Sequence, residues 1–244
     1  VLVLVATPAA RAERLTVAVS TPIVQIASNF SGVTITVFGV IEGASEQVLL
    51  ESGYAAAVAV IGPSQTVVER RKDRVLGIWA NQAAQTLVGV PSFYAVDSSK
   101  PLPEVATPAT LARLALGFDN VPLVSSENMP AATVEEFRDA FIRLQSQAGL
   151  FAETTQLQFL GDTIFRSTIF LPANIPDGRY TVLAYLFSGQ MLVAAAEATF
   201  TVSKIGIEQT LASFAAGQPL IYGVVCVALA LFVGWLGGVI FRRD

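Results

Sequence analysis

The side chains able to do chemistry in this chain are few, and their types narrow the field at once. Its 244 residues include no histidine and a single cysteine, Cys226. Without histidine the Ser-His and Cys-His nucleophile pairs are missing, as are the commonest general base and the commonest metal ligand. One cysteine inside an apolar run offers neither an internal disulfide nor a thiolate metal site. Carboxylate or lysine chemistry remains, yet no two acidic residues stand at a spacing that suggests a shared cleft. Glu135 and Glu136 read as parts of a helix cap. The expectation is a non-enzymatic chain with no catalytic residues, no cofactor and no metal.

The densest charge is Glu69-Arg-Arg-Lys-Asp-Arg74. Arg70, Arg71, Lys72 and Arg74 could contact an anionic partner, lipid head groups or a small oxyanion. Glu69 and Asp73 dilute the cluster, and such a run is more often a solvated hairpin tip, which is the favoured reading. Arg166 lies between Phe165 and Ser167 and would point away from the phenyl ring on a strand, which suits an ion pair at the edge of a core. A net charge of −4 leaves no electrostatic footprint for nucleic acid.

The elements that must hold these residues begin with the chain's most distinctive stretch. Leu220 to Phe241 is an unbroken apolar run closing on Arg242-Arg243-Asp244. Roughly 20 such residues let a helix cross hydrocarbon, and Arg242 and Arg243 beside it favour the cytoplasmic side. Within the span Cys226, Ala230, Gly234 and Gly238 recur every four residues, so small side chains line one side where another helix could approach closely. An identical helix or a different protein would satisfy that stripe equally, so a homo-oligomer stays open beside a foreign partner. Before the span, Ile207, Leu211 and Phe214 share a helical face that would lie at the membrane interface. At the other end, Val1-Leu-Val-Leu-Val-Ala6 followed by Ala9-Ala-Arg-Ala12 reads as a signal-peptide remnant.

Between these ends the content is 53% hydrophobic and 14% charged, which argues for folded cores. Val33-Thr-Ile-Thr-Val37 alternates with period two, and Ala55 to Ile61 is an apolar run ending at Gly62-Pro63. Residues 66–71 and 75–79 flank Lys72-Asp73, predicting a hairpin with its turn there. Short strands are also predicted over 85–90 and 93–96. Thr107-Pro108 opens a helix carrying Leu111 and Leu114 and closed by Gly117. Thr133-Val-Glu-Glu136 predicts a capping box, and Val134, Phe137, Phe141, Leu144 and Ala148 form a stripe stopped by Gly149. Strands then follow over 156–160, 164–171, 180–187 and 192–202. Pro172 to Tyr180 resembles the corner of an immunoglobulin-type sandwich, where a tyrosine hydroxyl bonds back to nearby backbone.

The predicted fold class is mainly β: antiparallel Ig-like β-sandwich units with a two-helix insertion, then a single C-terminal transmembrane helix. The predicted divisions are 1–12 leader remnant, 13–100 N-terminal sandwich and 101–150 helical connection. Residues 151–203 follow as a second Ig-like unit or the completion of the first, the strand count leaning towards two units. After them come 204–219 juxtamembrane segment, 220–241 span and 242–244 cytoplasmic tail.

Several stretches resemble the alphaproteobacterial "putative transmembrane protein" family. They are Phe30-Ser-Gly, Val37-Phe-Gly, residues 69–81, Gly89 to Val96, Leu171-Pro-Ala-Asn-Ile-Pro with Gly178 and Tyr180, and Gln218-Pro-Leu through Arg243. The resemblance implies an exported domain, one C-terminal helix, no assigned activity, and genes that often neighbour a predicted sulfite or organosulfonate exporter. It draws attention to the Arg70–Arg74 hairpin and to Val90–Tyr94.

Taken together, these features predict a single-pass protein of the bacterial inner membrane, with its N-terminal part periplasmic and its C-terminus cytoplasmic. It would act as an accessory or scaffold subunit, touching lipid and packing through its helix on an integral membrane protein or complex, such as a transporter or an energy-transducing assembly. The alternative is a periplasmic binding or sensing module for a small oxyanion linked to sulfite or organosulfonate export.

Overall fold

Period-two alternation builds most of the folded body. A computed structural model describes residues 13–27, 31–51, 53–75, 78–125, 130–204 and 215–240. The first strands are β1 (Arg14–Val19), β2 (Ile23–Ile26), β3 (Val33–Glu42), β4 (Ala55–Ile61), β5 (Ser64–Val75), β6 (Ile78–Pro91) and β7 (Tyr94–Ser98). After them come β8 (Val124–Ser125), β9 (Phe151–Thr154), β10 (Gln158–Phe159), β11 (Ile164–Leu171), β12 (Gly178–Ser188) and β13 (Met191–Lys204). The helices are α1 (Glu46–Glu51), α2 (Leu102–Val105), α3 (Pro108–Leu114), α4 (Ala131–Gln147) and α5 (Pro219–Ile240).

Three sheets result: β1-β3-β11-β10, β2-β13-β12-β4-β7-β9, and β5-β6-β8. The six-stranded sheet is the middle layer, which explains the uninterrupted apolar run of β4. Ala56 to Val60 are all essentially inaccessible because both faces of the strand are covered. On one face Ala57, Ala59, Tyr94, Val96 and Phe187 pack with residues of α2, α3, α4 and β6. The other face meets the four-stranded sheet, with β7 against β11 and β1 against β12. Ile35 and Val37 of β3 point inward as their alternation predicts.

Residues 151–203 do not form a unit of their own. β11 pairs with β3 and β12 with β4, so strands from before and after the helices share sheets. Residues up to Val24 and from Ser31 to Ser203 form one compact unit. The fold is mainly β, as predicted, and it includes a departure from the antiparallel rule. β9, absent from the sequence expectation, runs parallel to β7, pairing Tyr94 with Phe151 and Asp97 with Thr154. Of the strand predicted over 156–160, only the two residues of β10 form a ladder.

The tyrosine corner is present. Tyr180 is the third residue of β12, which begins pairing at Gly178, and its hydroxyl donates to the Pro176 carbonyl oxygen at 2.6 Å. The ring stacks on Phe200 and meets Phe93 edge-on, so one residue ties the 172–180 turn to the core.

Two helix ends differ from expectation. Thr107 caps α3 as predicted, accepting from the Thr110 amide, but the left-handed residue that closes it is Ala115 rather than Gly117. Tyr94 holds that turn: its hydroxyl donates to the Ala115 carbonyl at 2.7 Å and accepts the Gly117 amide at 3.0 Å. The predicted capping box of Thr133 and Glu136 does not form, because α4 starts earlier. Pro130 is the N-cap, and its carbonyl accepts the Thr133 and Val134 amides. Proline pre-sets φ, and the following Ala131-Ala132 favours helix.

α5 belongs to a second unit, which among the described residues also takes in residues 25–27 and Lys204. It covers the predicted span almost residue for residue, with Pro219 as its first residue, where a missing amide costs nothing. Its 22 residues reach about 33 Å at 1.5 Å per residue, matching a hydrocarbon core of about 30 Å.

Candidate functional site

The charge cluster lies in a hairpin that is longer than predicted. Val75 pairs with Ile78, and Lys72, Asp73 and Arg74 pair with Asn81, Ala80 and Trp79. The chain therefore does not reverse at Lys72-Asp73; those residues are drawn into a ladder that continues beyond them. The residues predicted as a separate strand over 85–90 continue the same β6. Arg70 is exposed, while the side chains of Arg71, Lys72 and Arg74 lie outside the described residues.

In the base of this hairpin the alternation turns Val67 and Glu69 inward, and Val68 and Arg70 outward. Across the ladder Glu69 is paired with Gln85 and Val67 with Leu87. α4 lies over them. Its Phe137, Ala140, Phe141 and Leu144 recur at helical spacing and line a cavity of about 490 Å3 with Val67, Glu69 and Arg70. Phe137 and Phe141 are buried as the stripe predicts, but Leu144 is 57% exposed and forms part of the cavity wall instead of the core.

α4 is held in place by Arg138. Its guanidinium donates to the carbonyls of Phe118, Asp119 and Val121 at 2.8 to 3.1 Å, tying α4 to the turn over residues 118–121. Phe141 packs edge-on against Phe151 of β9, fixing the inner end of the cavity to the middle sheet.

The electrostatics of the cavity are unusual for a chain with so little charge. Glu69 Oε2 is buried and has no hydrogen-bond partner, and both amide atoms of Gln85 are in the same condition. Gln85 is fully buried, whereas Glu69 is half-covered. Burial pushes the Glu69 carboxyl up to about 7, because an ionised oxygen there is poorly solvated. Between about pH 4.5 and 7 the folded protein then binds more protons than the unfolded chain, so stability falls as pH rises through that window. Glu69→Gln should raise the melting temperature at pH 8 by ~2–4 °C, after discounting for solvent screening, and leave it unchanged at pH 4. Differential scanning of the full chain in detergent at the two pH values checks this.

The remaining predicted positions fall elsewhere. Arg166 is exposed on β11 and donates to the Gln158 side chain of the edge strand β10 at 3.3 Å, so its partner is an amide. Val90, Phe93 and Tyr94 are buried and structural. Cys226, Ala230 and Gly234 lie exposed on α5 at four-residue spacing, and Gly238 continues the series within the helix. Ile207, Leu211, Phe214, Arg242 and Arg243 lie outside the described residues, as does the 1–12 leader segment. Among the described residues no three His, Cys, Asp or Glu side chains gather to hold a metal.

The inward roles of Glu69 and Gln85 went unread in the sequence. The signal available was the alternation through Val67 and Glu69, which puts an acid on an apolar face.

A family profile described as "Putative transmembrane protein (Alph_Pro_TM)" matches residues 14–243. The chain belongs to this family. Together with an α5 of which no part of the 219–237 window is buried in the molecule, that makes it a membrane-anchored protein. No curated protein matches the chain. Among solved structures it is similar to AggA, the major subunit of aggregative adherence fimbriae type I from Escherichia coli. That match has 12% identity over 81% of this chain and 97% of that one, with a TM-score of 0.26, too slight a likeness to transfer a strand order or a role.

Proposed function

We propose that this protein is a non-enzymatic accessory or scaffold subunit of the bacterial inner membrane. The β-rich body lies on the periplasmic side and the C-terminus in the cytoplasm, while α5 packs on a multi-span membrane protein or complex. A transporter or an energy-transducing assembly both fit. The observation that carries this reading is α5 itself: 22 residues without a charge, with nothing buried over residues 219–237. Lipid covers most of such a helix, and the four-residue series Cys226, Ala230, Gly234 and Gly238 supplies a side on which a second backbone can come close.

Native membranes solubilised in mild detergent supply the test. The protein should co-migrate with a larger integral membrane partner, and Gly234→Leu should release most of it while leaving the body folded. A chain that migrates alone, or whose co-migration ignores Gly234→Leu, would count against the proposal.

A further inference from the structure

We propose that the cavity between β5 and α4 is a binding site for a small organic ammonium ion, a positively charged nitrogen carried on a short apolar body. The inference goes beyond the anchoring role and stands on three features of the cavity.

The first is size and lining. About 490 Å3 lies within the range of small-molecule sites. Val67, Phe137, Ala140, Phe141 and Leu144 give a wall suited to hydrocarbon or an aromatic ring. The second is unmet hydrogen bonding. A buried acceptor without a donor is costly, and Glu69, which lines the cavity, carries one in Oε2. An ammonium group donates several hydrogen bonds and supplies the charge that Glu69 lacks. The third is the sign of the neighbouring groups. Among the described residues, the ionisable side chains that line the cavity with Glu69 are Arg70 at its rim and Glu136 on α4, with neutral Gln145 beside them. The unpartnered Glu69 oxygen favours a cation, and phenyl faces such as those of Phe137 and Phe141 attract one further. An oxyanion would instead have to sit against the inward carboxyl.

Binding of a cation would hold Glu69 ionised, so below about pH 7 uptake of the ligand should release a proton. The test uses the full chain in lipid nanodiscs, titrated calorimetrically with 2-phenylethylammonium, with 2-phenylethanol as the neutral isostere and empty nanodiscs as the blank. The amine should bind saturably and the alcohol at least tenfold more weakly. At pH 6 the apparent heat should change with the ionisation heat of the buffer, reporting the released proton. Glu69→Gln should weaken the amine at least tenfold and remove that buffer dependence. Ala140→Phe, which fills the cavity without touching the carboxyl, should block the amine as well and decides the matter if Glu69→Gln fails to fold. Equal affinity for amine and alcohol, an amine affinity unaltered by either substitution, or saturable binding of sulfite in place of the amine would overturn the proposal.

Discussion

Asp97→Ala is expected to cost about 3–5 kcal/mol, enough to lower the melting temperature by at least about 8 °C or to prevent folding. Asp97 is 1% exposed in β7, and three donors converge on its carboxyl. Oδ1 accepts from Thr154 Oγ1 at 2.8 Å and from the Gln156 amide at 2.7 Å, while Oδ2 accepts from Ser167 Oγ at 2.6 Å. The first two bonds secure the parallel strand β9 and the turn after it, and the third joins the middle sheet to β11. Alanine would leave the buried Ser167 hydroxyl and the part-buried Thr154 and Gln156 donors without this acceptor, at about 1–3 kcal/mol for a fully buried donor before relaxation, and would open a void between the sheets. Asp97→Asn should cost far less. Its Oδ1 keeps two of the bonds, and its amide can donate to Ser167 because a hydroxyl rotates to accept. Thermal unfolding followed by far-UV circular dichroism would rank the two variants. Equal losses for both would show that the cost lies in charge and not in unmet hydrogen bonding.

The second large effect is expected at Gly39. It lies in β3 directly opposite Phe165 of β11, and a Cβ built there would overlap the Phe165 ring. Phe165 is fully buried and packed edge-on with Phe159, so the ring has little room to move. Gly39→Val should cost about 3 kcal/mol through overpacking. Phe165→Leu in the same chain should recover part of that loss, giving a coupling energy of about 1 kcal/mol or more in a double-mutant cycle. Simple additivity would show that the two residues do not meet as described.

Several parts of this architecture could be read from residues alone because they depend on local periodicity. Val33 to Val37 alternates and forms β3; Leu220 onward is apolar and forms α5. The Pro172–Tyr180 segment carries both its turn residues and its tyrosine, and the corner forms as expected. Errors arose where partners lie far apart in sequence. Strand counts on either side of the helices suggested two units, but a strand has no local mark saying that its neighbour is more than 120 residues away, as β11 is from β3. β9 is only four residues long and owes its existence to Tyr94–Asp97 alongside it. The hairpin turn was placed at Lys72-Asp73 because charge resembles a loop, whereas ladder bonds tolerate charged residues on an open face. Glu136 was assigned to a cap that an upstream proline had already made unnecessary.

The candidate site was legible in its pieces and not in its assembly. Phe137 and Phe141 announced an inward helical face, and Glu69 was noticed as one member of a charged run. Its departure from that run, turned inward opposite Gln85 and beneath α4, depends on register and on where α4 is laid. Neither is encoded within a window of a few residues.

The position of β4 carries a consequence for biogenesis. Its seven residues, Ala-Ala-Ala-Val-Ala-Val-Ile, acquire one neighbour when residues 94–98 are made, but the other only once residues 181–187 have appeared. Until then a sticky, uncharged ribbon has a free edge, which is the kind of segment that self-associates during slow, non-local folding. A nascent polypeptide of this design depends on a holdase or on rapid completion of synthesis, and shortened forms ending before β12 should be recovered as aggregates.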